Sequence, residues 1–314
     1  MSSRHPSRLP SIGWPAAALL GVVVFLLGLW LGSRWLGPSG EGPMVEDEAP
    51  SPPSQAAEGP SAVPPETQEA LDLPEREPVA EAMRQAPVEV GPVAAVPPGE
   101  QARIAILIDD LGRSVADLDV LGRLGVPLSY AVLPFETRTV DVVDGIRRRG
   151  WELLLHLPME PQSGADPGPG ALTADMSSEA MRQATLEALA AVPGAVGVNN
   201  HMGSVLSTDR RAKDVVLGVV AENDLFYVDS RTSAETVGYR RALEMGLPAA
   251  ERQVFLDTAA EVMAVEEQFD RLLSVARERG AALAIGHPHP ATLEVLARRV
   301  PEALALGYEF VPVS

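Results

Sequence analysis

RIAILIDDLGRSVADLDVLGRLGVPLSYAVL, residues 103–133, holds one full cycle of the pattern that organises the C-terminal two-thirds of the chain. RIAILID (103–109) is a short apolar run rich in isoleucine and reads as a buried strand. It closes on an acid pair, Asp109 and Asp110. In 114–124, Val115, Leu118, Leu121 and Leu124 recur three apart, which is one face of a helix. Gly125 is the expected stop, because glycine accepts the left-handed backbone that a helix end requires. PLSYAVL (127–133) is the next strand.

The cycle repeats to the C-terminus. Further strands are predicted at 152–157, 195–200, 226–230, 253–257, 281–286 and 308–313, with helices at 139–149, 178–192, 209–223, 234–245, 260–279 and 291–306. Gly150, Gly194, Gly246, Gly280 and Gly307 stand where helices should stop. Strands alternating with helices mean βαβ units and a parallel sheet. The expectation is an α/β fold, a (β/α) barrel of seven to eight parallel strands, closed or incomplete. A doubly wound open sheet is the alternative. The irregular stretch 158–177, rich in Gly and Pro, is long enough to suggest a border of a substrate groove.

The N-terminal third is different. Residues 12–32, IGWPAAALLGVVVFLLGLWLG, carry no charge and follow Arg4 and Arg8. At about 1.5 Å per residue they cross a hydrocarbon core of roughly 30 Å. Trp14, Trp30 and Trp35 lie near the two ends, where indole rings favour the interface. The run is longer than a signal-peptide core, and Ser33-Arg34-Trp35 is a poor cleavage context. Residues 1–37 are therefore expected to be a cytoplasmic stub and single-pass inner-membrane anchor, with the C-terminal domain periplasmic or otherwise extracytoplasmic. Residues 38–102 hold 14 prolines, 13 acids and two bases. Such composition cannot offset chain entropy by burial, so a disordered tether of very roughly 45 Å is expected. The domain proper is then 103–314.

Charge splits as +3 for 1–37, −11 for 38–102 and −10 for 103–314. With no basic patch, nucleic acid is excluded as a partner. The absence of cysteine removes disulfides, thiolate catalysis and cysteine metal sites.

Residues that carry chemistry cluster at strand ends. His156, His201, His287 and His289 each lie just past an apolar run, and only His5 falls outside the pattern. HLPMEP spaces His156 and Glu160 four apart, but Pro158 and Pro161 exclude the helical zinc pair. Asn199, Asn200, His201 and Ser204 form a polar run after the fourth strand. Asp229 and Arg231 follow the fifth: Asp229 suits orienting a histidine or binding a sugar hydroxyl and Arg231 pairing with a catalytic carboxylate, or equally they serve as a helix-capping acid and a surface ion pair. Asp257 shares that face with no assigned task.

Taken in order, IDD (108–110), HLPMEP (156–161), NNHMGS (199–204), VDSRT (228–232) and GHPHP (286–290) resemble the divergent polysaccharide deacetylase family. These are distant relatives of the carbohydrate esterases that remove N-acetyl groups from chitin-like sugars and peptidoglycan. The resemblance implies Asp109 as catalytic base and Asp110 as metal ligand. The relatives' H-x-x-x-H motif reads H-x-x-x-E here, so His156 carries over and the remaining ligand falls to Glu160 or His201. His201 is favoured because imidazole restores an Asp-His-His set suited to zinc. The relatives' Arg-x-Pro-aromatic motif is replaced by NNHMGS. Their late Leu-x-His motif matches Ile285-Gly286-His287 and implies His287 as general acid. Asn199, Asn200, Ser204, Asp229, Arg231 and His289 are accessory. The implied reaction is zinc-dependent N-deacetylation of an envelope polysaccharide. The altered motifs leave a second expectation, a catalytically degenerate barrel that binds glycan or an envelope protein.

Overall fold

The computed structural model describes residues 96–97, 100 and 102–314. The anchor expected at 1–37 and nearly all of the tether expected at 38–102 lie outside the described residues. Among those described, no helix is long and apolar enough to cross a membrane.

Strands and helices alternate as β1 (Arg103–Leu111), α1 (Ala116–Gly122), β2 (Ser129–Val132), α2 (Thr139–Arg148), β3 (Glu152–Met159), α3 (Ser178–Ala191), β4 (Gly197–Met202), α4 (Arg210–Glu222) and β5 (Phe226–Asp229). Then come α5 (Gly238–Glu244), β6 (Ala249–Glu251), β7 (Val254–Phe255), α6 (Val262–Arg279), β8 (Ala281–Gly286), α7 (Pro290–Ala305) and β9 (Glu309–Phe310). Local chemistry sets the boundaries. The side chains of Ser177 and Asp209 cap α3 and α4 by accepting from Ala180 and Ala212 N–H. Gly280 ends α6 at φ 80°, and Pro290 opens α7.

The sheet order is β6-β5-β4-β3-β2-β1-β8-β7, with every pair parallel. Its two edge strands, β6 and β7, are separated in sequence only by Arg252 and Gln253. One short segment therefore pairs with β5 through its first half and with β8 through its second. The sheet curls until its edges meet on that segment, an incompletely closed barrel. Side chains hold the seam. Arg252 donates from Nε to Ser230 O (2.7 Å) and from Nη2 to Arg231 O (2.8 Å). The Gln253 amide stands in for a missing peptide, donating to Glu251 O (2.6 Å) and accepting from Leu283 N–H (2.7 Å).

The period of two along each strand separates two cores. Leu107, Ala131, Leu154, Val228, Leu283 and Ile285 form a small cluster of strand residues inside the barrel. The intervening residues, such as Ile104, Ile106, Ile108, Leu153 and Leu155, pack outward against the helices in the main core. A helix-free inner face rules out the doubly wound alternative. Below the inner cluster, Ser129 Oγ and Glu152 Oε1 receive the Val313 N–H of the C-terminal tail (3.0 and 2.8 Å) and close the floor.

The structure adjusts several expected strands. Those at 253–257 and 308–313 shrink to two residues each, and β9 pairs only with the start of β1. The edge strand β6, Ala-Ala-Glu, was not expected, because two alanines and an acid make no apolar run.

Candidate functional site

Because all the strands run the same way, their C-terminal ends share one face. The polar layer there sits on the apolar plug. It takes alternate residues from each strand: Asp109 from β1, His156 from β3, Asn199 and His201 from β4, and His287 just past β8. Asp110 breaks the alternation. Its φ of 59° turns the chain left-handed at the strand end, so adjacent acids both serve one site.

Asp110 Oδ1, His156 Nε2 and His201 Nδ1 form a nearly equilateral triangle. Asp110 Oδ1 lies 3.1 Å from His156 Nε2 and 2.8 Å from His201 Nδ1, and the two ring nitrogens are 3.2 Å apart. Donors held about 2.0–2.2 Å from a tetrahedral zinc stand roughly 3.3–3.6 Å from each other. Asp110 Oδ1 is buried and lacks a hydrogen bond of good geometry despite both imidazoles beside it. An orphaned buried oxygen and two ring nitrogens converging on one point fit a divalent cation.

The residues around the triangle orient it. His156 Nδ1 meets Asn199 Oδ1 at 2.9 Å, which places the proton on Nδ1 and frees the Nε2 lone pair. The Asn199 amide nitrogen donates to both oxygens of Asp109 (2.9 and 3.0 Å) and to Ser230 Oγ (3.1 Å). A second unit faces the first. His287 Nδ1 lies 2.9 Å from Asp257 Oδ1, and Asp257 Oδ2 accepts from His287 N–H (2.6 Å) and Thr292 Oγ1 (2.8 Å). His287 Nε2 thus points to the site, 3.9 Å from Asp110 Oδ2. Asp257, His287 and His289 also lie close enough to suggest an ion site. Both Asp257 oxygens already receive protein donors, however, so the group reads as a hydrogen-bonded dyad.

Electrostatics suit these positions. Burial, with Asp110 adding repulsion, raises the Asp109 carboxyl above its ordinary value, against His156, His287 and Asn199. Burial also acts to raise Asp110, but His156 and His201 outweigh it and hold that carboxyl well below the usual range. His287 is penalised by burial, yet Asp257, Asp109 and Asp110 push it up to about 9.

Other residues singled out in the sequence lie elsewhere. Glu160 is a loop buckle and is not in the triangle: its Oε2 accepts from Ala174 N–H (2.6 Å), and its backbone pairs with Leu172 and Val205. Ser204 Oγ receives Gln162 N–H (2.8 Å) on the same 158–177 loop. Asp229 is buried on the helix side of β5, accepting from Arg231 N–H, Thr236 Oγ1 and Tyr239 N–H. Arg231 pairs with Glu251 (2.6 Å), away from the site carboxylates. Asn200 also faces the helices. His289 is exposed at the head of α7, its ring 5.4 Å from that of His287. Sequence reasoning assigned no task to Ser230 or Asp257. Strand parity from Phe226 and Val228 places Ser230 inward, and the same count from Phe255 places Asp257 there.

The chain belongs to the divergent polysaccharide deacetylase family, whose model matches residues 106–314. It is 34% identical over 198 residues to YibQ, an uncharacterized protein of Escherichia coli K12, covering 63% of this chain and 62% of that protein. The match therefore spans less than two thirds of YibQ. An uncharacterized protein of Haemophilus influenzae is 32% identical over 209 residues, 66% of this chain and 75% of its own length. The fold is similar to that of a crystal structure of an uncharacterized protein from Agrobacterium tumefaciens C58, with TM-score 0.64 and 24% identity over 70% of this chain and 91% of that one.

Proposed function

We propose that this chain is a metal-dependent hydrolase that removes N-acetyl groups from amino sugars of an envelope polysaccharide. In this reading residues 1–37 anchor it in the inner membrane and the barrel works outside the cytoplasm. The observation that carries the proposal is the converging triad of Asp110, His156 and His201, flanked by a buried carboxylate on one side and a His-Asp dyad on the other.

Each side chain has a separable task. Asp110, His156 and His201 would hold a divalent ion, with zinc the best match to the donor set. A bound ion there supplies Lewis-acid chemistry, polarising a carbonyl and making water more acidic. Asp109, its carboxyl raised by burial, accepts a proton from water as the acetamide is attacked. Asn199 keeps both Asp109 oxygens in place. His287, charged at neutral pH and fixed through Nδ1, donates from Nε2 to the departing amine nitrogen. Water and amide become acetate and a free amine.

The test is acetate release by full-length protein, reconstituted with Zn²⁺, from N-acetylated glycans such as chitin oligomers and peptidoglycan fragments. Turnover abolished by Asp109→Asn, with the ion retained, supports the reading. Zinc bound but no acetate from any such glycan overturns catalysis and leaves a glycan-binding domain.

A further inference from the structure

Behind the site, between α4 and β5, Lys213 is 0% exposed. Its Nζ donates to the Tyr227 hydroxyl at 3.0 Å and lies 3.7 Å from Met159 Sδ. Among the described residues, no carboxylate is within ion-pairing distance of it. Burial pushes the amine down to about 8, with Asp229 opposing. Such a group costs folding free energy, so its placement calls for a role other than stability.

What the amine gives is direction. An ammonium only donates, so the Tyr227 hydroxyl accepts from Lys213 and has its own proton for Asn200 Oδ1, 3.3 Å away. The same Oδ1 receives Ser230 N–H at 3.1 Å. The Asn200 amide nitrogen is then committed to Met202 O (2.9 Å) and Thr232 Oγ1 (3.3 Å). Met202 follows His201 directly and is held left-handed at φ 49°. Ser230 in turn meets Asn199 inside the barrel. The relay from Lys213 thus ends on the two chain segments that carry His201 and support Asn199.

We propose that Lys213, acting through Tyr227 and Asn200, is a positioning residue that holds the His201–Met202 turn in its metal-binding shape. The inference rests on the metal-site reading above.

The probe is Co²⁺, titrated into full-length parent, Lys213→Met and Tyr227→Phe protein, with Zn²⁺ competition and melting of each metal-free form. Metal-free Lys213→Met should melt no lower than the parent, because a buried amine is gone. Its Co²⁺ affinity should nevertheless fall about tenfold, the lower end of losses from supporting-residue changes, and its visible Co²⁺ spectrum should shift. Tyr227→Phe cuts the same relay and should show a similar loss, with little added in the double variant. It also carries the test if Lys213→Met fails to fold. Unchanged affinity and spectrum in both variants, with a parent that binds, overturn this inference alone. A parent that binds no Co²⁺ overturns the metal reading and this inference with it.

Discussion

The His287 ring is pinned by Asp257 through one nitrogen, leaving the other to face the Asp110 carboxylate. The Asp257 carboxylate also holds the ring in its charged form against burial. Asp257→Asn keeps the shape and removes the charge, so the His287 pKa should fall from about 9 toward the ordinary histidine value of 6.5. The basic limb of the pH–rate profile should move down accordingly, with kcat reduced about 100-fold or more; steady-state kinetics from pH 6 to 10 read both. Lys213 sets a different pH dependence. Between about 8 and 10.5 the unfolded chain binds its proton and the folded chain does not. Stability from this group therefore rises with pH across that window, and the full penalty, on the order of 3 kcal/mol, applies below it. Lys213→Met should be more stable than the parent at pH 7, with the gain shrinking toward pH 10.5 in denaturant melts. Not every neighbouring pair was equally legible: Asn199 and Asn200 read alike in sequence, yet strand alternation puts one in the barrel and the other against the helices.

At the scale of elements, the β4 exit joins backbone strain to close packing. Gly203 sits at φ 83°, and a Cβ there would lie 2.7 Å from Met159 Cβ on β3. Gly203→Ala should destabilise the fold by about 1–3 kcal/mol, read as a lowered denaturation midpoint, and weaken divalent-ion binding because His201 is two residues away. The glycines expected to end helices, Gly125, Gly150, Gly194, Gly246, Gly280 and Gly307, all adopt positive φ between 65 and 91°. That was readable because a helix stop is local chemistry. The β6 strand was not, since its three residues form a strand only by pairing with β5. Likewise, nothing in the spacing of Glu160 from His156 reveals that the loop folds back so that Ala174 claims its carboxylate.

For the whole molecule, the parallel arrangement assembles one site from residues far apart in the chain, so an ion held there should couple to global stability. At about 100 times its Kd, a divalent ion should add about 2.7 kcal/mol. In a domain of this size that is a rise of roughly 5–10 °C in Tm, read by scanning calorimetry with and without Zn²⁺. Despite burial, the Asp109 and Asp110 carboxylates raise the His156 pKa, so protons compete for the ring and the thermal gain should shrink below neutral pH. An unchanged Tm at saturating zinc would count against the triad as an ion site. By itself the sequence determined the βαβ alternation, the helix stops, and which strand ends carry Asp109, Asp110, His156, His201 and His287, because periodicity and turn chemistry act over a few residues. Only the tertiary structure decided that His201 rather than Glu160 joins Asp110 and His156, that Asp257 holds His287, and that Lys213 lies behind them. Those choices depend on strand register and barrel curvature, which bring Asp110 and His287 together from 177 positions apart along the chain.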